Sequence, residues 1–161
     1  MQRKLWLSFF VAGLMAGTLS AQQAPQPDPS PDARLVRIRT GSYVERCVGY
    51  CDTETIIEPG SVRVISRSFS DKKKYPEKNF SYAISKRDWE ALQQLIDANV
   101  LAAFEGRIGC PGCADAGVAW VEIEFSDRTK KSVSYNASRG PEPLTALLQR
   151  IETIARKPPK P

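Results

Sequence analysis

The chain contains no histidine. That absence removes Ser-His-Asp and Cys-His nucleophile pairs, histidine general bases and every histidine-containing metal site, and most hydrolase chemistry goes with them. A phosphate-cradling loop is missing too, because Gly106, Gly109, Gly112 and Gly117 do not follow a strand and open a helix. Long apolar runs are also lacking: the stretch from Leu5 to Leu19 is shorter than the roughly 20 residues a spanning helix needs. It follows Arg3 and Lys4 and leads into the small pair Ser20-Ala21, which together read as a secretory signal over residues 1–21, cut after Ala21 or alternatively after Ser20. The first cysteine is Cys47, too distant for a lipid-anchored processing site. The expectation is export, to the periplasm or beyond, with no stable membrane insertion after the signal is removed.

Positive charge is scarcer than the formal +5 suggests. Taking Arg3 and Lys4 from the 23 Lys and Arg leaves 21 against 18 Asp and Glu, a net charge of about +3. The one tight cluster, Lys72-Lys73-Lys74, lies between Asp71 and Glu77 without interleaved aromatics and reads as a solvated loop. A nucleic-acid partner is therefore not expected, since such proteins concentrate charge on one face.

Prolines at 25, 27, 29 and 31 make residues 22–32 a stiff, polyproline-like linker with no core of its own. Lys157-Pro158-Pro159-Lys160-Pro161 cannot continue a helix and forms a tail. Residues 33–156, about 124 residues, suffice for one domain with a single core.

Within that body, Leu35 to Thr40 predicts a strand with Val36 and Ile38 on one face and Arg37 and Arg39 on the other. Thr53 to Glu58 and Ser61 to Phe69 form a hairpin across Pro59-Gly60, which fits a type II turn. Phe80, Tyr82 and Ile84 alternate with small residues in a further strand. Ser85 and Asp88 then start a helix whose apolar face is Trp89, Leu92, Leu95 and Ile96. Val118 to Phe125 and Lys131 to Asn136 pair across a turn at 126–130, with Ile123 opposite Val133 and Val121 opposite Tyr135 matching the apolar faces. Pro143 opens a last helix with Leu144, Leu147, Leu148, Ile151, Ile154 and Ala155 on one stripe. The order predicts an α+β fold: a mostly antiparallel sheet of five to six strands with two helices packed on one face.

The chemistry left to the chain is sulfur chemistry. Cys47-Val48-Gly49-Tyr50-Cys51 and Cys110-Pro111-Gly112-Cys113 supply an even count, which in an exported chain points to disulfides. Three connectivities are open. A β-turn brings Cys110 and Cys113 within bridging range, whereas loop-closure entropy, roughly 2 kcal/mol for a local bridge against roughly 4 for Cys47 to Cys110, favours crossed pairing. Thiol-disulfide exchange at Cys110 and Cys113 is an alternative, opposed by the strand that follows and by the anion Asp115. A four-cysteine zinc or copper site is another, opposed by an oxidising compartment. No other cofactor and no catalytic residue is indicated.

Trp120 shares the outward strand face with Glu122 and Glu124 beside the cysteine turn. With Asp115 it is a possible contact for a protein or small-molecule partner, although cover by the cysteine loop is the simpler expectation for a tryptophan. Glu122 and Glu124, with Arg128, Lys130 and Lys131 nearby, read as a charge ladder rather than an acid/base pair.

The two cysteine segments, extended through Ala114-Asp115-Ala116-Gly117 to Trp120-Val121-Glu122-Ile123, resemble a group of exported bacterial proteins. That group shares Cys-x-Gly-Tyr-Cys, Gly-Cys-Pro-x-Cys-Ala-Asp-x-Gly and a following Trp-Ile/Val-Glu-Ile strand. The likeness runs from about residue 35 to 155 and implies a signal-bearing, single-domain bacterial protein. It carries over no catalytic or binding residue, because no activity is established for that group. The sequence favours a disulfide-stabilised domain that binds or interacts over one that catalyses.

Overall fold

The computed structural model describes residues 26–104, 106–113 and 116–156. The signal segment, the start of the linker, Asp115 and the tail from Lys157 lie outside the described residues. The described chain is an α+β fold with the elements β1 (Leu35–Tyr43), β2 (Asp52–Glu58), β3 (Ser61–Arg67), β4 (Lys78–Ala83), α1 (Lys86–Gln94), α2 (Ala98–Ala102), β5 (Gly106–Arg107), β6 (Val118–Phe125), β7 (Lys130–Asn136) and α3 (Thr145–Ala155). A 3-10 turn, Glu142–Leu144, leads into α3 and contains Pro143. The strands form one 7-stranded sheet in the order β4-β3-β2-β1-β6-β7-β5, and every pairing is antiparallel except the short parallel β5–β7.

Local chemistry accounts for most of these elements. Glu58 pairs with Ser61 across Pro59-Gly60, and Gly60 has the φ of +88° that the third position of a type II turn demands. Ser85 caps α1 by accepting from the Asp88 N–H at 3.1 Å and donating to the Asp88 carboxylate at 2.8 Å. α2 and β5 add to the expected two helices and five to six strands. α2 is a single capped turn held by Asp97, which accepts from the Val100 N–H at 2.9 Å, and β5 is two residues long. Both are too short to leave a periodic signal.

Two details of register depart from the expected pattern. β1 bulges against β6 between Leu35 and Arg37, so Leu35 rather than Val36 joins Ile38 in the core. β7 pairs with β6 two residues tighter than expected, with Val121 opposite Val133, Ala119 opposite Tyr135 and Ile123 opposite Lys131. The cause is a compact turn at 126–129, in which the Phe125 N–H reaches the Thr129 carbonyl and Arg128 takes a φ of +70°. Asp127 locks it: the backbone N–H groups of Ser30 and Thr129 donate to its carboxylate and hold its pKa down to about 2. A shift of two preserves which face each residue occupies. It also seats Lys131 on the core face, where the residue is only 6% exposed. Its ammonium reaches the Gln26 carbonyl at 3.0 Å and the Asp28 carboxylate at 2.6 Å, so Gln26–Asp28 lie against β7.

The core joins one face of the sheet to the helices. Ile38, Ile57, Val62, Val121, Ile123 and Val133 pack in one cluster with Trp89 and Leu92 of α1 and with Leu147, Ile151 and Ile154 of α3. Fully burying each such side chain contributes about 1.5–3 kcal/mol. The other face alternates in charge from strand to strand. Lys130 meets Glu122 and Glu124, which meet Arg39 and Arg37, which meet Glu54 and Glu58; Arg67 closes on Glu54 from β3. Among the described residues no helix is long and apolar enough to cross a membrane.

Candidate functional site

Strand register decides which connections share an end of the sheet. Tyr43 pairs with Asp52 on one side and Val118 on the other, Asp52 pairs with Arg67, Ser66 with Lys78, and Val118 with Asn136. The connections at 44–51, 68–77, 108–117 and 137–141 therefore leave from the same end. At the opposite end lie the tight turns at Pro59-Gly60, Ile84-Ser85 and 126–129. Long connections on a rigid scaffold are where binding residues concentrate.

Two of the long connections carry the four cysteines, which pair locally. Cys47 bonds Cys51 across a Cα separation of 5.8 Å and Cys110 bonds Cys113 across 5.5 Å. Turn geometry thus prevails over the larger loop-closure entropy of crossed bridges. The Cys113 N–H donates to the Cys110 carbonyl at 3.2 Å, and the first loop is tied at its base by Val44 N–H to the Cys51 carbonyl at 3.0 Å. Among the described residues no three of the Cys, Asp and Glu side chains gather as a metal site.

The loop carrying Cys47 and Cys51 is fastened to the 68–77 connection by aromatic contacts. Tyr50 and Tyr75 meet edge-on at 5.8 Å, Lys78 lies 4.4 Å from the centre of the Tyr50 ring, and the Tyr50 hydroxyl donates to the Pro76 carbonyl at 3.0 Å. Beside this seam Tyr43, Glu45, Asp52 and Phe69 line a hollow of about 530 Å³, with Tyr43 and Phe69 edge-on at 6.4 Å. The segment Tyr43–Arg46 separates it from a cleft of about 350 Å³ reaching the Cys110–Cys113 loop. Arg107 enters that cleft from β5 and donates to the Pro111 carbonyl at 3.3 Å, and Arg46 lines it as well. Two large apolar side chains at this end stand in solvent, Val48 at 83% and Phe69 at 52% exposure.

Trp120 lines neither hollow. It is half-buried on the charged face, where the Gly41 backbone lies against the indole and the Arg39 guanidinium stands 5.5 Å from the ring centre. Asp115 lies outside the described residues. Glu122 and Glu124 do form a ladder, but their partners are Arg39, Arg37 and Lys130, while Lys131 points to the core. Glu54 sits at its centre. Burial pushes its carboxyl up, yet hydrogen bonds from Arg39 and Arg67 outweigh this and hold it below the ordinary carboxylate value. Tyr43, Phe69 and Arg107 were not singled out by the sequence, because each gains its role only when register brings separate connections to one end.

No protein-family model and no curated protein matches the chain.

Proposed function

We propose that the chain is an exported bacterial interaction domain that binds a protein partner through the loop-bearing end of its sheet. One observation carries this: the long connections gather at one end, two are stapled by disulfides, and the exposed apolar side chains Val48 and Phe69 project from that end. Local bridges order the loops before binding, which lowers the entropic cost of docking them. Exposed apolar groups on ordered loops are the features that partners desolvate. The resemblance to exported bacterial proteins with the same paired cysteine segments supports the setting.

The test is site-specific photocrosslinking in the cell envelope of the native host. A crosslinker replacing Val48 or Phe69 is expected to yield discrete protein adducts, whereas one replacing Lys86 at the start of α1 yields none. No adduct from either loop position, or equal adducts from all three, overturns the proposal.

A second reading is favoured by Arg107. Its guanidinium touches the Cys110–Cys113 loop and supplies the positive charge that thiolate stabilisation in a Cys-x-x-Cys motif requires. This reading makes the loop a thiol-disulfide exchange centre. Insulin reduction by the wild type, lost in Cys110→Ser, would establish it in place of the binding role; no cysteine-dependent turnover leaves the interaction domain.

A further inference from the structure

The helix-covered face of the sheet stops being apolar toward the loop end. The inward pairs of β1 and β2 run Ile38 with Ile57, then Thr40 with Thr55, then Ser42 with Thr53. The isoleucines are fully buried in the core. The four hydroxyl residues instead floor a groove of about 500 Å³, walled on its far side by Leu148, Gln149 and Glu152 of α3. Several of the hydroxyls are already oriented: Thr40 donates to the Trp120 carbonyl at 2.8 Å, and Ser42 and Thr53 meet at 3.2 Å. Each hydroxyl offers one donor and two acceptor sites, so all keep unused capacity.

Tyr135 adds a further hydroxyl residue, held by a packed ring. It lines the same groove from β7 and is only 6% exposed, yet its hydroxyl has no hydrogen-bond partner among the described residues. The oxygen itself is not sealed in, since the buried side-chain nitrogen or oxygen without a partner among the described residues is Arg150 Nε; the Tyr135 ring is packed while its hydroxyl is open to water, a held donor that a ligand can engage in place of water. Burial pushes its pKa up to about 12, so the phenol is protonated and acts as a donor at neutral pH.

The lining decides the ligand's chemistry. Glu152 is the charged residue among those described around the groove, and it is bonded outward to Arg156, so nothing there neutralises an anion. A purely apolar ligand would strip water from the hydroxyls without replacing its hydrogen bonds. A peptide added as a strand would need a free main-chain edge, whereas β1 and β2 are each paired on both sides. We infer that the groove binds a neutral saccharide. The Tyr135 hydroxyl donates to a sugar oxygen, the Thr and Ser hydroxyls exchange hydrogen bonds with the sugar's own, and Leu148 packs on its C–H face. The site lies on the helix side of the sheet and does not depend on the loop hollows.

The experiment is an amide-resolved NMR titration of the exported protein with maltose, cellobiose and N,N′-diacetylchitobiose, and with glucuronate as the anionic control. At least one neutral disaccharide is expected to give saturable shifts at Thr53, Thr55, Tyr135 and Gln149, and glucuronate none. Tyr135→Phe removes only the unbonded oxygen; it should fold and melt like the wild type and weaken that binding about tenfold, the worth of one hydrogen bond. Thr55→Val provides a second probe, in the floor of the groove, with a similar loss. No saturable shift with any of the three sugars, shifts confined to other surfaces, or full affinity in Tyr135→Phe overturns the inference. Replacing Val48 and Phe69 by Asp leaves the titration unchanged, so failure at the loops and failure in the groove are read separately.

Discussion

Gly41→Ala is a small change with a large expected consequence. Gly41 lies on the charged face of β1, directly opposite Trp120 of β6, and the indole packs over it. A Cβ built there would stand 2.5 Å from the Thr53 carbonyl oxygen and 2.8 and 2.9 Å from two indole carbons. The indole can rotate away by giving up its contact with Arg39. The carbonyl belongs to the β1–β2 ladder and can yield only if the two strands separate. Overpacking of this kind costs about 1–3 kcal/mol, against which Ala recovers about 0.5–1 kcal/mol of strand entropy relative to Gly. The net loss expected is about 1–2 kcal/mol, or roughly 4–8 °C in melting temperature for a domain of this size. Urea denaturation followed by tryptophan fluorescence should show a lowered midpoint with an unchanged slope. Trp120→Leu in the Gly41→Ala background removes the indole clash and leaves the carbonyl clash, so a double-mutant cycle should give a coupling of about 0.5–1 kcal/mol. A Gly41→Ala protein as stable as the wild type, with no coupling to Trp120, would refute the packing account.

Three further outcomes are expected. Glu54→Gln removes the charge between Arg39 and Arg67 and should cost about 1–2 kcal/mol at pH 7 after screening at the half-exposed arginines. Because the Glu54 pKa is depressed in the fold below its ordinary 4.5, its contribution is present above that value and lost as pH falls through the folded one. The stability gap between wild type and Glu54→Gln in urea titrations should therefore close on acidification below about pH 4.5. Lys131→Met keeps the buried stem and should stay within about 1 kcal/mol of the wild type, while Lys131→Ala leaves a gap beneath Ile123 and should cost about 1–3 kcal/mol. Reducing both disulfides should lower the melting temperature yet leave a cooperative transition, since each local bridge contributes only about 2 kcal/mol; an unchanged melting point would show that the bridges do not constrain the loops.

How far this fold was legible depended on whether a signal was local. The hairpin at Pro59-Gly60 and the cap at Ser85 are complete within four residues, and both were readable. The faces of β6 followed from strict alternation. The β6–β7 register did not, because matching apolar faces leaves shifts of two residues equally acceptable, and the choice fell to the Asp127 turn, which recruits the Ser30 N–H from far away in sequence. Val36 was misassigned for a related reason: alternation is blind to a bulge that pairing with Phe125 imposes. Disulfide connectivity stayed open because entropy and turn geometry pointed in opposite directions, and only the placed backbone weighed them.

The hydroxyl groove was present in the sequence as Thr40 and Ser42 on one strand and Thr53 and Thr55 on the next, but alternation treats such residues as neutral surface. What gives them meaning is the path of α3. The helix starts beside β7, where its Leu148 and the Tyr135 ring both approach Gly140, and ends beside β4, where the Tyr82 hydroxyl donates to the Ile154 carbonyl at 2.8 Å. A helix that crosses the strands, rather than running along them, covers Ile38 and Ile57 and leaves the loop-side ends of β1 and β2 open. Isoleucine gives way to threonine at that boundary. Had the inward residues beyond Ile38 and Ile57 remained aliphatic, the crossing helix would have exposed an apolar patch on the sheet; with hydroxyls there, the same geometry yields a polar-floored groove lined in addition by Tyr135.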